Sequence, residues 1–428
     1  MRSNIARASG YATVSLLALT AVIFDGIALV SFALVAIIAS VLGDGRVFRL
    51  FADRAEFRSG RLVGLVEYAA IATVLAAAVF LEWFPRPLFT GVVLLVGIGY
   101  FGAELARLAR SDRLTETTGF ITVGFVAYTG GHIIGAGLSI SDPATIGLLA
   151  MAGALVGAMF RAAWWARHDG IIMFVLAVIL FGLFSLEAPT TETVVIAIVT
   201  SIALAYLALL IRAASITGMV TGVLMVFLTI VYGGLSWVLM LVAFFGIGGL
   251  ATKYKYADKR TRGVAEANRG ARGSGNVLGN TIVALVALLG FAATSGDLGL
   301  VFAFAFAGAI ATALSDTLSS EIGGLYDDPM MITSFERVAP GTDGAVSVPG
   351  TGAGIVGAGV VAAIFVATGP AGILGGVVVT VAGTLGMLTD SLLGAVLENR
   401  LVGNHSVNTA ATFTGATLSA VVVFVGLI

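Results

Sequence analysis

The chain has 428 residues, 58% of them hydrophobic and only 11% charged, and its mean hydropathy is +1.05. Soluble domains are about half apolar and about a quarter charged, so this composition excludes an ordinary soluble enzyme. With 23 basic against 24 acidic residues and no cysteine, the sequence also excludes a basic nucleic-acid binder, disulfides, thiolate zinc sites and cysteine nucleophiles.

Fifteen apolar stretches follow one another along the chain: 11–24, 27–43, 63–81, 89–106, 119–140, 144–160, 171–186, 193–211, 215–231, 234–250, 281–295, 299–315, 351–368, 372–392 and 410–427. Several are shorter than the ~20 residues that cross a bilayer comfortably. The first pair, hinged at Asp25-Gly26, also reads as one broken helix. Arg2 and Arg7 precede an apolar run as in a signal peptide, but no small-residue cleavage site follows and further spans come at once. The predicted fold is an all-α polytopic membrane protein with about 13–15 transmembrane helices. The 56 glycines suit tightly packed membrane helices.

With the N-terminus placed in the cytoplasm, 22 of the 23 basic residues fall in inner segments, leaving only Arg86 outside. The outer turns carry Asp25, Glu82, Asp142, Glu187, Glu192 and Asp297 instead. This is the split expected of the positive-inside rule. Each half starts with a helical pair (11–43 and 215–250) and a basic inner loop (44–62 and 251–280). That layout is consistent with two parallel pseudo-repeats, although pairs and basic loops are common to helical membrane proteins. The halves differ in polar content. Residues 1–192, whose inner loops are mainly arginine, read as a membrane scaffold, and 193–428 as the catalytic half.

Four clusters carry the chemistry of the second half. Lys253 to Asn280 supplies seven cations among glycines, with Lys253, Lys255, Arg269 and Arg272 as candidates for phosphate charge. Asn276 and Asn280, four apart, share a helix face there. Topology and anionic lipid account for the cations equally well, but poorly for the asparagines. Ser315-Asp-Thr-Leu-Ser-Ser-Glu-Ile-Gly323 is too dense in polar groups for a merely solvated helix end. On a continuous helix Asp316 aligns with Ser319 and Ser320 while Glu321 sits about 140° around. One ion therefore bridges both carboxylates only if the helix unwinds near Gly323-Gly324.

The third cluster, Phe335 to Gly350, contains Arg337, Thr342 and Ser347 in a loop whose glycines expose backbone N–H groups to phosphate oxygens. No Gly-Lys pair exists, so it is not a P-loop. The fourth holds Asp390-Ser391, Glu398-Asn-Arg400 and Asn404-His-Ser-Val-Asn408. Asp316 and Asp390, with Glu321, are candidate catalytic residues and Mg²⁺ ligands, because Mg²⁺ takes one or two carboxylates plus phosphate oxygens. His132 within a span reads as a packed residue, and His168, beside Trp164 and Trp165, as an interface anchor.

The stretches Leu250-Ala-Thr-Lys-Tyr-Lys-Tyr256, Gly263-Val-Ala-Glu266, Arg272-Gly-Ser-Gly-Asn-Val277, Ser315 to Gly323, Gly341-Thr-Asp-Gly-Ala-Val-Ser347 and Asp390-Ser-Leu-Leu-Gly-Ala395 resemble, in order and spacing, a known family. It is the family of the plant chloroplast phytyl-phosphate kinase and animal transmembrane protein 19, and the resemblance covers about 195–428. It implies an integral-membrane kinase that moves a phosphoryl group from a nucleoside triphosphate to a prenyl monophosphate. A more distant similarity to dolichol kinases and phosphatidate cytidylyltransferases implies a CTP-like donor and Mg²⁺. The nucleotide contacts expected on that basis are Lys253, Lys255, Arg269, Arg272, Asn276, Asn280, Ser320, Arg337, Thr342, Ser347 and Asn408. A cytidylyltransferase of a lipid phosphate is the alternative enzyme. A secondary transporter is the alternative class, though transporters tend to place polar groups near mid-membrane.

Overall fold

The structure is a computed structural model that describes residues 2–140, 142–163, 168–210, 215–265, 273–398 and 401–426. Each of the fifteen apolar stretches falls, over most of its described residues, on a helix. In chain order these are α1 (Arg2–Ser15, continued by a 3₁₀ segment Leu16–Val22), α2 (Asp25–Val41), α3 (Gly45–Phe51), α4 (Glu56–Ser59), α5 (Val63–Phe80), α6 (Arg86–Ala109) and α7 (Arg113–Gly135). There follow α8 (Pro143–Ala163), α9 (Asp169–Phe184), α10 (Thr191–Leu210), α11 (Ile216–Gly233), α12 (Leu235–Lys253) and α13 (Tyr256–Thr261). The last five are α14 (Ser274–Ala293), α15 (Gly296–Gly323), α16 (Val348–Thr368), α17 (Ile373–Leu397) and α18 (Asn404–Phe424). A two-residue antiparallel ribbon, β1 (Met330–Met331) and β2 (Ala345–Val346), stiffens the loop between α15 and α16.

Among the described residues twelve helices are long and apolar enough to cross a membrane, or thirteen if the α2–α3 pair, bent by 104°, counts as one span. The protein is an all-α polytopic membrane protein. Besides α2, two predicted spans are not among these twelve, α9 for its length and α7, which is 23 residues long, for its composition. Helix α9 has only 16 residues, and α7 carries Thr, Gly and His132 along its length. The first pair is two helices: Phe24 is extended (φ −163°, ψ 126°) ahead of α2. The chain forms two compact units, Met1–Val194 and Val195–Ile428.

In the first unit α6 is buried almost continuously from Leu88 to Gly97. Its glycines let α7 approach: a Cβ on Gly99 would lie 3.3 Å from the Gly124 Cα, and one on Gly102 would lie 2.8 Å from the Gly119 carbonyl. Polar side chains of this unit pair among themselves. Arg161 is ion-paired with Asp169, both under a tenth exposed, and its guanidinium lies 4.1 Å from the Tyr100 ring centre. Ser15 Oγ and Tyr68 Oη are 2.7 Å apart, and Arg107 holds the buried Glu104 at 2.9 Å. Buried charges need such partners, because an unpaired one costs several kcal/mol.

In the second unit α15 is the axis. It is apolar all round, as a fully buried helix must be, and Ala303 to Ser315 are buried without a break. Trp237 of α12 packs 4.8 Å from Phe306 and 4.7 Å from Phe291 of α14. Helices α16, α17 and α18 meet α15 across small residues. A Cβ on Gly357 would lie 3.1 Å from the Leu314 carbonyl, and one on Gly415 would lie 2.9 Å from that of Gly308. Without a hydrophobic force between helices in lipid, this close backbone approach supplies the packing attraction. Gly415→Leu should therefore force α15 and α18 apart and abolish the monodisperse peak in detergent size-exclusion. Gly359→Leu, at a site where a Cβ meets nothing within 4 Å, should leave that peak unchanged.

Candidate functional site

Helix α15 runs unbroken to Gly323, so the unwinding that would have let Asp316 and Glu321 share an ion does not occur. The two carboxylates leave the helix about 140° apart. Asp316 instead meets Asp390 of α17, the two carboxyl groups being in hydrogen-bonding contact. Each sits seven residues before its helix ends, at Gly323 and Leu397.

The pair opens into a cavity of about 470 Å³, closed on the other sides by α14, the loop 340–347 and the start of α18. An amide relay leads into it. Asn280 Nδ2 donates to the Asn276 carbonyl at 2.9 Å. The Asn408 amide is oriented by its partners: its oxygen accepts from Asn280 Nδ2 at 2.9 Å and its nitrogen faces Asp390 Oδ1 at 3.2 Å. Asn280 and Asn408 are almost fully buried, so this relay fixes one edge of the Asp390 carboxylate. The opposite wall is a tight turn. Gly341 (φ +82°) and Gly344 (φ +80°) are in the left-handed region. A Cβ on Gly344 would also lie 2.7 Å from Ala395 of α17. Both features require glycine there.

The hydroxyls differ in what they have left to give. Ser320 Oγ donates to the Thr317 carbonyl at 3.1 Å and Thr342 Oγ1 to that of Ala339 at 2.7 Å. Ser347 Oγ accepts from the Gly350 N–H at 3.2 Å, capping α16, and so keeps its proton for a ligand.

Of the expected site residues, Asp316, Glu321, Asp390, Asn276, Asn280, Ser320, Thr342, Ser347 and Asn408 line the cavity. Three expected cations do not. Lys253 and Lys255 are exposed at the end of α12 and beyond it, where Lys255 lies over the Tyr254 ring at 5.7 Å. Arg337 is exposed and faces Asp328 at 3.5 Å. Arg269 and Arg272 lie outside the described residues. Glu321, expected as a third metal ligand, is ion-paired through Oε2 to Lys259 Nζ at 2.6 Å.

Lys259 is a residue that sequence reading missed. Its side chain is 1% exposed, and the ammonium also donates to the Ala251 carbonyl at 2.7 Å. It thereby closes the C-terminus of α12, ties it to α15 and draws Val264 to the rim of the cavity. The one hint in the sequence is that all three lysines of the chain, Lys253, Lys255 and Lys259, fall in one loop. Asp343, Glu398 and Asn404 also line the cavity; the clusters contained them, but no role was read for them.

Described lining residues thus include five carboxylates, on Asp316, Glu321, Asp343, Asp390 and Glu398, and no lysine or arginine. Burial, reinforced by the nearby Asp343 carboxylate, pushes the Glu398 carboxyl above its usual range, against an Asn404 hydrogen bond that pulls it down. Among the described residues no three His, Asp or Glu side chains converge as a ready metal cage. Two touching carboxylates nevertheless match the donor set of Mg²⁺, which usually completes its shell with phosphate oxygens and water.

With this geometry in place, comparison with known proteins assigns the family. The integral membrane protein family DUF92 matches residues 199–422. The chain belongs to this family. It is 31% identical over 247 residues to an uncharacterized membrane protein of Methanocaldococcus jannaschii, covering 55% of the chain and 98% of that relative. It is 32% identical over 195 residues to an uncharacterized membrane protein of Synechocystis, covering 44% and 76%. A third relative is the chloroplastic protein VTE6 of Arabidopsis thaliana, 32% identical over 195 residues, covering 45% of this chain and 59% of the plant protein. No solved structure matches. The matched region contains every residue of the cavity.

Two outcomes follow. Breaking a buried ion pair from one side costs about 3–5 kcal/mol. Lys259→Met should accordingly lower the melting temperature in detergent strongly, and adding Glu321→Gln should recover part of the loss. For Glu398 the folded carboxyl holds its proton to higher pH than the unfolded one. Its ionisation therefore removes stability as pH rises from the ordinary carboxylate range through the raised value. Glu398→Gln should raise the melting temperature at about pH 7.5 and change it little at about pH 4.

Proposed function

We propose that this family member is a membrane-embedded prenyl-phosphate kinase. It would transfer the terminal phosphoryl group of a nucleoside triphosphate, CTP-like, to a prenyl monophosphate of the phytyl or geranylgeranyl type. The observation that carries the reading is the contact between Asp316 and Asp390 in a polar cavity built entirely from apolar membrane helices and one glycine turn. Like charges in contact are costly unless a cation accompanies them. A cavity lined by carboxylates repels a polyphosphate unless the same cation is shared. The resemblance of the Ser315–Gly323, Gly341–Ser347 and Asp390–Ala395 motifs to the family of the plant phytyl-phosphate kinase supports the lipid side of the assignment.

Phosphoryl transfer demands little covalent work of a protein; it is almost wholly positioning and charge stabilisation. Asp316 and Asp390 would hold Mg²⁺, which when bound supplies neutralisation of the phosphate charge. The Asn276–Asn280–Asn408 relay keeps Asp390 in one rotamer and excludes water from its inner edge. Ser347 presents its hydroxyl proton to phosphate oxygens, and the turn through Thr342, its own N–H bonded to the Ala339 carbonyl, shapes the wall beside it. Arg269 and Arg272, in the basic segment that precedes α14, would add the positive charge absent from the described wall. Glu321 stays with Lys259 and acts on position rather than on substrate. The active site would lie on the cytoplasmic face with the basic loops.

Purified protein given labelled CTP or ATP and a panel of prenyl phosphates should yield prenyl diphosphate and a nucleoside diphosphate. Release of pyrophosphate with a nucleotide-linked lipid would identify a cytidylyltransferase and refute the kinase. Asp316→Asn should lower kcat at least about a hundredfold. It should leave the melting temperature without divalent ions unchanged or higher, because it relieves repulsion as it removes a ligand. Mg²⁺ should raise the melting temperature of the wild-type protein and not that of Asp316→Asn/Asp390→Asn.

A further inference from the structure

A second recess of about 470 Å³ lies between α14, α15 and α18. Its wall is apolar apart from Thr409 and Thr417, and the Thr409 hydroxyl is already bonded to the His405 and Gly279 carbonyls, at 2.9 and 3.1 Å. Val283 and Ala287 form one side, Phe302 and Ala305 the second, Phe413 and Ala420 the third. The volume falls within the ~300–1,000 Å³ of small-molecule sites.

This groove adjoins the polar cavity along α14 and α18, where Asn280 and Asn408 line the cavity and Val283 and Thr409 the groove. On α14 the residues Asn276, Asn280, Val283 and Ala287 are spaced four, three and four apart, which places them on one face. The first two line the cavity and the last two the groove. The change from amide to hydrocarbon takes one helical turn, roughly 5 Å. On α18 the groove residues from Thr409 to Val421 extend the recess by roughly 18 Å, more than half of the ~30 Å hydrocarbon thickness of a bilayer. The groove is formed where small residues on three helices leave space, and its sides remain open: Val286 and Phe413 are each 62% exposed.

We infer that this groove binds the hydrocarbon tail of the acceptor lipid, with the lipid phosphate at the Asn280 end and the tail running between α14 and α18. The inference rests on the kinase reading and narrows its substrate class. A single apolar groove with a polar cavity at one end takes a lipid that has a single chain. A prenyl monophosphate meets that description; a diacyl lipid phosphate, with two chains on one head, does not. Tail contacts made only beside the polar cavity would bring the phosphate to the carboxylates without demanding that it leave the bilayer.

The experiment uses the full-length protein in lipid nanodiscs and a farnesyl phosphate analogue with a diazirine near the tail end. Irradiation should label peptides containing Ala287, Phe302 and Ala420, and excess unlabelled geranylgeranyl phosphate should suppress the labelling. Geranylgeraniol and phosphatidate should suppress it poorly. Labelling there that phosphatidylcholine suppresses equally would show an annular lipid contact and overturn the inference, as would labelling elsewhere in the chain. Val283→Phe and Ala420→Phe narrow the groove at half-buried positions. Both should raise the KM for geranylgeranyl phosphate at least about tenfold, and the shorter the acceptor chain the less Ala420→Phe, at the far end of the groove, should raise its KM. An active enzyme whose chain-length preference ignores both substitutions would sink the groove while the kinase reading stands. Specific labelling in a protein that makes no prenyl diphosphate would sink the kinase reading while the groove stands.

Discussion

The second unit is organised around a contact that electrostatics opposes: two aspartate carboxyls touching inside a bundle of apolar helices. Two ionised carboxylates cannot share a low-dielectric site without a proton or a cation. The fold holds them there regardless. Asp316 is placed by an axis helix that is buried through Ser315. Asp390 is placed by α17, whose Gly383 and Gly386 let it lie against Ala311 and Thr312 of the same axis. The stability needed to keep the carboxylates together thus comes from close backbone packing well away from them. Losing one close approach, as at Gly415, would loosen the helices that carry the site.

Around that pair the neighbouring polar groups divide into two kinds. Asn276, Asn280 and Asn408 bond to one another and to Asp390, and so are consumed in orientation. Ser347 belongs to the second, since its hydroxyl accepts from the Gly350 N–H and keeps its proton. Lys259 belongs to the first kind. Because its ammonium bridges the Ala251 carbonyl and Glu321, its charge is satisfied before any ligand arrives. A lysine near an acidic cavity would ordinarily be read as its phosphate clamp, but here it is a fastening between α12 and α15. The carboxylate excess of the described wall follows directly from that diversion.

The helices, their order and their near-complete occupation of the chain were legible in the sequence, because a span in lipid must satisfy its own backbone and so appears as an apolar run. The polar clusters were legible for the same reason: charges in such a chain are expensive and have to be accounted for. Partner choice was not. Asp316 with Asp390 and Glu321 with Lys259 are exchanges between helices 62 to 74 residues apart in sequence, and a helical wheel cannot choose between them. The condition for Asp316 and Glu321 to share an ion, unwinding near Gly323-Gly324, is not met: the helix is intact and Glu321 pairs with Lys259. Lys253, Lys255 and Arg337 illustrate the opposite error. They were assigned to phosphate because they are cationic and near the motifs, whereas their exposure satisfies them with water, Tyr254 and Asp328.

Comparing the two units gives a physical criterion for where chemistry resides. The first unit buries ionisable groups too, yet Arg161 is matched by Asp169 and Tyr100, and Glu104 by Arg107. Opposite charges in contact stabilise one conformation and leave no charge for a ligand. In the second unit carboxylates gather without a cation among the described wall residues, and the apolar groove beside them has no side chain to fill it. A folded membrane protein tolerates unbalanced charge and unfilled hydrocarbon surface only where something else completes them. The two deficits adjoin along α14, with Asn280 and Val283 one turn apart, so a single amphiphile with an anionic head and an apolar tail, arriving with a cation, removes both at once.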